Sequence, residues 1–489
     1  MKIKTLPLAI AFFLWGSAVN ATDLVLYSGN TTISTPVTAD NSFLVGVDSP
    51  SVSATITNSG SVTISQPNNS TAVGVNSSSS LNTLTVNGSL LSVYPLYVGY
   101  SGSSNTMNVA GSVTSSQLYV GSMLGSSSNL LSLVGGNLSL TQDAVVGAEV
   151  GADNNRVTVS GVTGSISFPS KTIYIGRSGN GNYLEIVSGG DVIGANGRIG
   201  GGSGATGNPS NNSILVDGSG STLALTGTLR VGAGSSAITD SNSSLELTKG
   251  GVVTVSGDSF IGYSSTSSNN HILVDGSGST INLQDLVIGG SSIISTSTGN
   301  YVMISNYGSL ISATTIYIPA TNSLYVSSDG SLTARDLLSS GTLDIGESTS
   351  SIINRDYIQS GGVFRAHALD GTHHTRLAVD GNVSISSDTQ VDVLFSDCNQ
   401  FSPGDIIAGI IVSSQYPISY TPNAITDNCP DLRFDATLSN DSKSLDLISR
   451  ADPPPPPPAP IPTLSEWGQI VMMLTMMIAA GWYSRRIMR

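Results

Sequence analysis

The densest set of groups able to do chemistry in this chain is the stretch HALDGTHHTR, which holds His367, Asp370, His373, His374 and Arg376. Three of the four histidines of the chain stand here. Imidazole binds metals and changes charge near neutral pH, so the cluster suits a metal site or an acid–base pair. It also suits an exposed loop, because Asp-Gly is turn chemistry and no cysteine, glutamate or further histidine adjoins it. Elsewhere the acids are scattered. Asp217, Asp275 and Asp329 sit beside glycines in turn sequences, whereas glycoside hydrolysis needs two carboxylates at a defined separation. The glycine-rich nonapeptide that binds calcium in β-rolls is not found. The reading is therefore a protein with no catalytic, cofactor-binding or metal-binding residues, and not an enzyme.

What would have to position such groups is a repeat. From about residue 96 to 320 an apolar triplet ending in Val-Gly or Ile-Gly is followed by a polar loop that usually holds asparagine. Two or three alternating apolar positions and a Gly-Ser or Gly-Gly turn complete the unit. LYVGYSGSSNTMNVAGSV from Leu96 and IYIGRSGNGNYLEIVSGG from Ile173 are clear copies. The marker glycines are Gly99, Gly121, Gly147, Gly176, Gly200, Gly232, Gly262 and Gly289, with neighbours 22 to 32 residues apart. Near the end Pro319 takes the glycine place. ILVDGSGST occurs twice, from Ile214 and from Ile272. A period of this length means stacked supersecondary units.

Alternation such as Leu184-Glu185-Ile186 has period two, so the units are strands of three to five residues. Glycine stands where the chain must turn with positive φ. A strand this short buries little by itself. Coiling the chain lays each strand beside its counterpart one turn later, with Val, Ile and Leu inside and Ser, Thr and Asn outside. The expected fold is all-β: a right-handed parallel β-helix, roughly 80 Å long at about 4.8 Å per coil. An antiparallel sandwich or propeller fits the irregular spacing less well.

Charge narrows the partners. Residues 22–465 carry thirteen basic and thirty-one acidic side chains, a net of −18. Nucleic-acid binding needs cations to replace phosphate counterions, so it is discounted. The ends differ from the body. Lys2 and Lys4, the apolar run Leu6 to Trp15, and small residues up to Ala21 make a secretory signal cleaved after Ala21. Export through the Sec machinery would place Cys398 and Cys429, the only cysteines, in an oxidising compartment. A disulfide is then the natural pairing, and two buried thiols the other possibility. Prolines 453–458 form a stiff extended spacer. Then come Ile461, Pro462, Thr463, Leu464, Ser465, Glu466, Trp467 and Gly468, an uncharged run from Gly468 to Tyr483, and Arg485, Arg486 and Arg489. Ser465 suits a helix cap, Trp467 a membrane interface, and the arginines a cytoplasmic end. A single transmembrane helix is expected, although about 16 residues give only roughly 24 Å against about 30 Å of hydrocarbon.

Two resemblances follow from these residues. The Val-Gly…Asn-x-Leu-x-Val-x-Gly-Gly units look like the repeats of autotransporter passenger domains, and residues 376–450 are similar to the last passenger turns. Only 39 residues follow Arg450, so a translocator barrel is not among them. The IPTLSEWG motif, the apolar helix and the terminal arginines closely resemble the IPTL-type C-terminal sorting signal of Gram-negative bacteria. That resemblance implies transient anchoring and cleavage near Pro462 to Ser465 by an exosortase-like membrane protease.

The expected organisation is a signal peptide at 1–21, a β-helix array at 22–375 and terminal turns or cap at 376–450. A proline-rich spacer at 451–460 and a sorting tail with its transmembrane helix at 461–489 complete it. The expected function is an exported, surface- or matrix-associated, adhesin-like rod, with extracellular polysaccharide or a second copy of itself as partner. The alternative is a carbohydrate-active or glycan-binding β-helix protein.

Overall fold

A computed structural model describes residues 19–21, 23–66, 70–202, 204–234, 238–290, 297–347, 350–420, 424–451 and 464–487. The chain builds the expected parallel β-solenoid. One coil illustrates it. Ser89–Ser92, Leu96–Val98 and Thr106–Val109 are the strands of its first, second and third faces, and alternate side chains in each are buried. The next coil repeats them at Ser112–Ser115, Leu118–Val120 and Leu130–Val134, paired in parallel and in register. The third faces together form a sixteen-stranded sheet running from Asn30–Ile33 to Ala424–Asp427. Sixteen rungs at about 4.8 Å give a stack of roughly 70 Å. The repeat thus begins well before residue 96. The earlier coils already carry the Val-Gly ending at Val45-Gly46 and Val73-Gly74 and follow the same register.

Inside, the inward residues form one continuous apolar core. Leu184, Ile186, Leu245 and Leu247 are fully buried, as the alternation required. The two ILVDGSGST copies form third-face strands that both pair with Ser244–Thr248, one on each side of it. Their turn glycines Gly218, Gly220, Gly276 and Gly278 all have positive φ. At the end the pairing changes sense. Ser444–Ala451 lies antiparallel between Leu432–Leu438 and Ile406–Ser413, which closes the last coil. Phe395, Phe401 and Phe434 pack together there. Cys398 and Cys429, 31 residues apart, are joined in a disulfide beside them.

The polar loops hold the feature that spaces the coils. Asn82, Asn105, Asn129, Asn155, Asn182 and Asn212 stack along one corner, fully or almost fully buried. The backbone N–H and side-chain Nδ2 of each donate to the Oδ1 of the next. From Asn105 to Asn129 these bonds are 3.0 and 3.1 Å, from Asn129 to Asn155 both 3.0 Å, and from Asn155 to Asn182 3.0 and 3.1 Å. Asn270, Asn300 and Asn322 continue the pattern. The residue before each is forced left-handed, with φ of 59° at Leu81, 57° at Ser104 and Ser128, and 55° at Asn154. That conformation costs a non-glycine residue roughly 1–2 kcal/mol, and the paired hydrogen bonds offset it.

The marker glycines are the other half of this device. All eight have positive φ. A methyl group built on Gly99, Gly121, Gly147 or Gly176 would overlap the amide of Asn129, Asn155, Asn182 or Asn212 respectively. Glycine is needed at these positions for its backbone conformation and also for the space it leaves.

The expected membrane span is corrected. The C-terminal helix runs Leu464–Ile487, but no helix among the described residues is long and apolar enough to cross a membrane. Its uncharged stretch is short, and Gln469, Thr475, Gly468 and Gly481 dilute it. The helix begins at Leu464, so Ser465 lies inside its first turn.

Asn155→Ala leaves both Asn129 donors without their Asn155 acceptor. We expect a loss of roughly 2–4 kcal/mol in urea unfolding, and a loss of at least similar size for Gly121→Ala. A loss under about 0.5 kcal/mol for either variant would contradict the ladder's role.

Candidate functional site

The histidine stretch is the loop that leaves the third-face strand Gly362–Ala368. A bridge between Ala368 and His374 and a bond from the Leu369 N–H to the His373 carbonyl (2.8 Å) close it tightly. Asp370 organises the turn as the Asp-Gly sequence predicts. Its carboxylate accepts from the N–H groups of Thr372 and His373 and from the Thr372 hydroxyl, all at 2.7 Å. Those bonds, with the one to the His373 ring, hold its carboxyl well below the usual carboxylate range.

The three imidazoles diverge. His367 Nε2 is 2.7 Å from Asp344 on the preceding coil. His373 Nδ1 is 2.8 Å from the exposed Asp370. His374 Nε2 donates to the Ala408 carbonyl at 3.0 Å, while its buried Nδ1 has no partner. Burial lowers the pKa of His374 below the ordinary imidazole value. Among the described residues no group of three His, Cys, Asp or Glu side chains is placed to hold a metal ion. Arg376 lies exposed beyond the turn and does not complete a site with them.

Coil stacking brings together a different set. Asp344, Arg365 and Asp392 are register neighbours on the outside of the third face. Arg365 reaches Asp344 at 3.2 Å and Asp392 at 3.0 Å. His367 takes the other oxygen of Asp344, and Gln390 and Thr426 the other oxygen of Asp392. Burial alone would raise the pKa of Asp392, but the bonds from Thr426, Gln390 and Arg365 together lower it. Asp392 is therefore ionised at neutral pH and has no proton to give as a general acid. The cluster ties three coils together. Its members are 21 and 27 residues apart, so only the coil register links them. The available signal was the outward position of each in Leu-Asp-Ile, Phe-Arg-Ala and Val-Asp-Val.

The ladder has one fault. Where an asparagine is due, the chain has Ser243. Its N–H keeps the bond to Asn270 Oδ1 at 2.9 Å, and its hydroxyl donates to Asp240 Oδ1 at 2.9 Å. The Asp240 carboxyl takes the space against Gly200 that asparagine amides fill elsewhere. Asp240 is fully buried, and its Oδ2 and the Asn212 Nδ2 both lack partners. Burial raises its pKa well above the ordinary value.

The ends of the chain supply little geometry. Ala21 closes the strand Val19–Ala21, which pairs with Val37–Ala39, and the rest of the signal lies outside the described residues. So do Ile461, Pro462, Thr463 and Arg489. Leu464, Ser465, Glu466, Arg485 and Arg486 lie within the C-terminal helix, and Trp467 and Gly468 are exposed on it. No family model matches the chain, and no curated protein matches it. The fold itself is compatible with an adhesin-like or a carbohydrate-active β-helix protein.

A group whose folded pKa is raised contributes stability below its unfolded pKa, near 4, and loses it as pH rises. Asp240 should therefore make the rod less stable as pH climbs from about 4 towards neutrality. Asp240→Asn should flatten that slope and raise the Tm at pH 7 relative to wild type. Parallel pH profiles for the two proteins would contradict this.

Proposed function

We propose that this protein is an exported, surface- or matrix-associated rod that acts as a structural, adhesin-like element. The observation that carries the reading is the uninterrupted stack of short coils. Ion pairs such as Arg156 with Glu185 and Arg365 with Asp344 and Asp392 join neighbouring coils along the outside. A continuous core of this kind makes a stiff spacer that presents a long, low-charge surface. The Cys398–Cys429 disulfide fits an oxidising compartment, in keeping with the N-terminal signal sequence. The IPTLSEWG tail fits processing by an exosortase-like membrane protease, with cleavage between Pro462 and Ser465.

Intact mass spectrometry of the protein from its native host, on membrane and released fractions separately, tests the reading. The expected result is a released form that begins after Ala21 and ends between Pro462 and Ser465. A chain ending at Arg489 in every fraction would overturn it.

One observation favours a carbohydrate-active enzyme as a second reading: two carboxylates, an arginine and a histidine do converge at Asp344, Arg365, Asp392 and His367. If they act on polysaccharide, the wild type will release new reducing ends and Asp392→Asn will lower that rate at least about tenfold. Equal rates for the two proteins would remove the cluster from the chemistry.

A further inference from the structure

The outward residue of each second-face strand forms a row along the rod, and this row differs from the Ser/Thr/Asn surface around it. It includes Tyr97 and Tyr119, whose rings stack with centroids 5.1 Å apart. Further along, Tyr174, Arg198, Arg230 and Phe260 occupy four successive coils in register. Two arginines therefore stand directly opposite each other on adjacent strands, an arrangement that destabilises a sheet. Burial foremost, with the Arg198 charge adding to it, holds the Arg230 guanidinium below its ordinary range.

Neither arginine is neutralised. Arg156, Arg177, Arg335, Arg355, Arg365 and Arg450 each have a carboxylate within ion-pair distance. Among the described residues Arg198 and Arg230 have none, although the body carries thirty-one acids. The Nε atoms of both are buried without a hydrogen-bond partner, while the side chains as a whole are half-exposed. Aromatic rings support them from both ends. Arg198 lies 5.5 Å from the Tyr174 ring centre, and Arg230 lies 3.6 Å from that of Tyr263 and 5.8 Å from that of Phe260. Just after the turn glycine these two coils have only Gly201 and Ala233, where the next coil has Tyr263. Two guanidiniums without a carboxylate partner therefore stand on adjacent strands, flanked by rings.

We propose that Arg198 and Arg230 form the binding site for an anionic polysaccharide. Guanidiniums carried on neighbouring strands, whose backbones lie about 4.8 Å apart, suit a carboxylate or sulfate group that accepts from both. Phe260 and Tyr263, both half-buried, offer apolar surface to the sugar ring that carries it. The ligand supplies the negative charge that the chain withholds, which accounts for the like-charge contact. The inference rests on the reading of the protein as an exported, adhesin-like surface rod and names the chemistry it would recognise.

The test uses the full-length chain and three probes: polygalacturonate for carboxylate, dextran sulfate for sulfate and dextran for neither. Titration calorimetry is run on the wild type, Arg198→Gln/Arg230→Gln and, as a control, Arg156→Gln, which removes a cation that already has a partner on the third face. We expect wild type and the Arg156 variant to bind at least one anionic polymer and not dextran. The double variant should lose at least about tenfold in affinity, the equivalent of one charge-assisted hydrogen bond. Without ligand, Arg198→Gln should melt no lower than wild type, because it relieves like-charge contact. If the double variant fails to fold, the single variant carries the affinity comparison. Unchanged affinity in a folded variant, equal loss in the Arg156 control, or no binding of either anionic polymer would overturn the proposal. Should the last occur while the released, processed form is found in the host, this site fails and the surface-rod reading stands.

Discussion

The rod depends on the pairing of a buried asparagine with a left-handed glycine. Short strands of three or four residues supply few ladder bonds per face, and a coil held by them alone could slip by one residue and turn its apolar side chains outward. The asparagine ladder prevents that. Each Oδ1 accepts from the backbone and side chain of the previous rung, so the corner is pinned at one residue in every coil. The glycine across the corner leaves the volume that the amide occupies. Neither residue works without the other, and this coupling lets the remainder of each loop vary in length.

That freedom explains the rest of the architecture. Since register is set at the corner, loops between faces can lengthen without disturbing the core. The outward positions are likewise free of packing duties, and three distinct surfaces result. The third face carries ionic clusters such as Asp344–Arg365–Asp392 that tie coils together. The second face carries the aromatic and arginine row. Much of the remainder is Ser, Thr and Asn. At Asp240 and Ser243 the ladder itself is altered, and a buried carboxyl replaces an amide at some expense in hydrogen bonding. Coils there still stack, because the Ser243 backbone keeps its bond to Asn270.

A functional reading has to work with surfaces, since the histidine-rich loop does not bring its rings together. Its tight turn aims three imidazoles at three separate partners. The second-face row has the opposite character. Its aromatic and arginine members are dispersed over the sequence from 97 to 260, and the coils place them side by side. In a solenoid, residues one coil apart are neighbours and residues adjacent in sequence point to opposite sides.

The amino-acid sequence by itself determined the fold class. Period-two alternation in short segments, glycines at turn positions and asparagine in the loops allow few solutions, because short strands bury their apolar faces only by stacking. It also identified Asp370 as turn chemistry and the two cysteines as candidates for a bridge. It overstated the C-terminal helix, where a run of uncharged residues reads as more apolar than its Gln, Thr and Gly content permits. Only the tertiary structure decided which residues meet. The Asp344–Arg365–Asp392 cluster, the fault at Asp240 and the opposed Arg198 and Arg230 all depend on coil register. Register is set by the corner asparagines across coils of irregular length, 22 to 32 residues between glycines, so no fixed spacing along the chain reveals it.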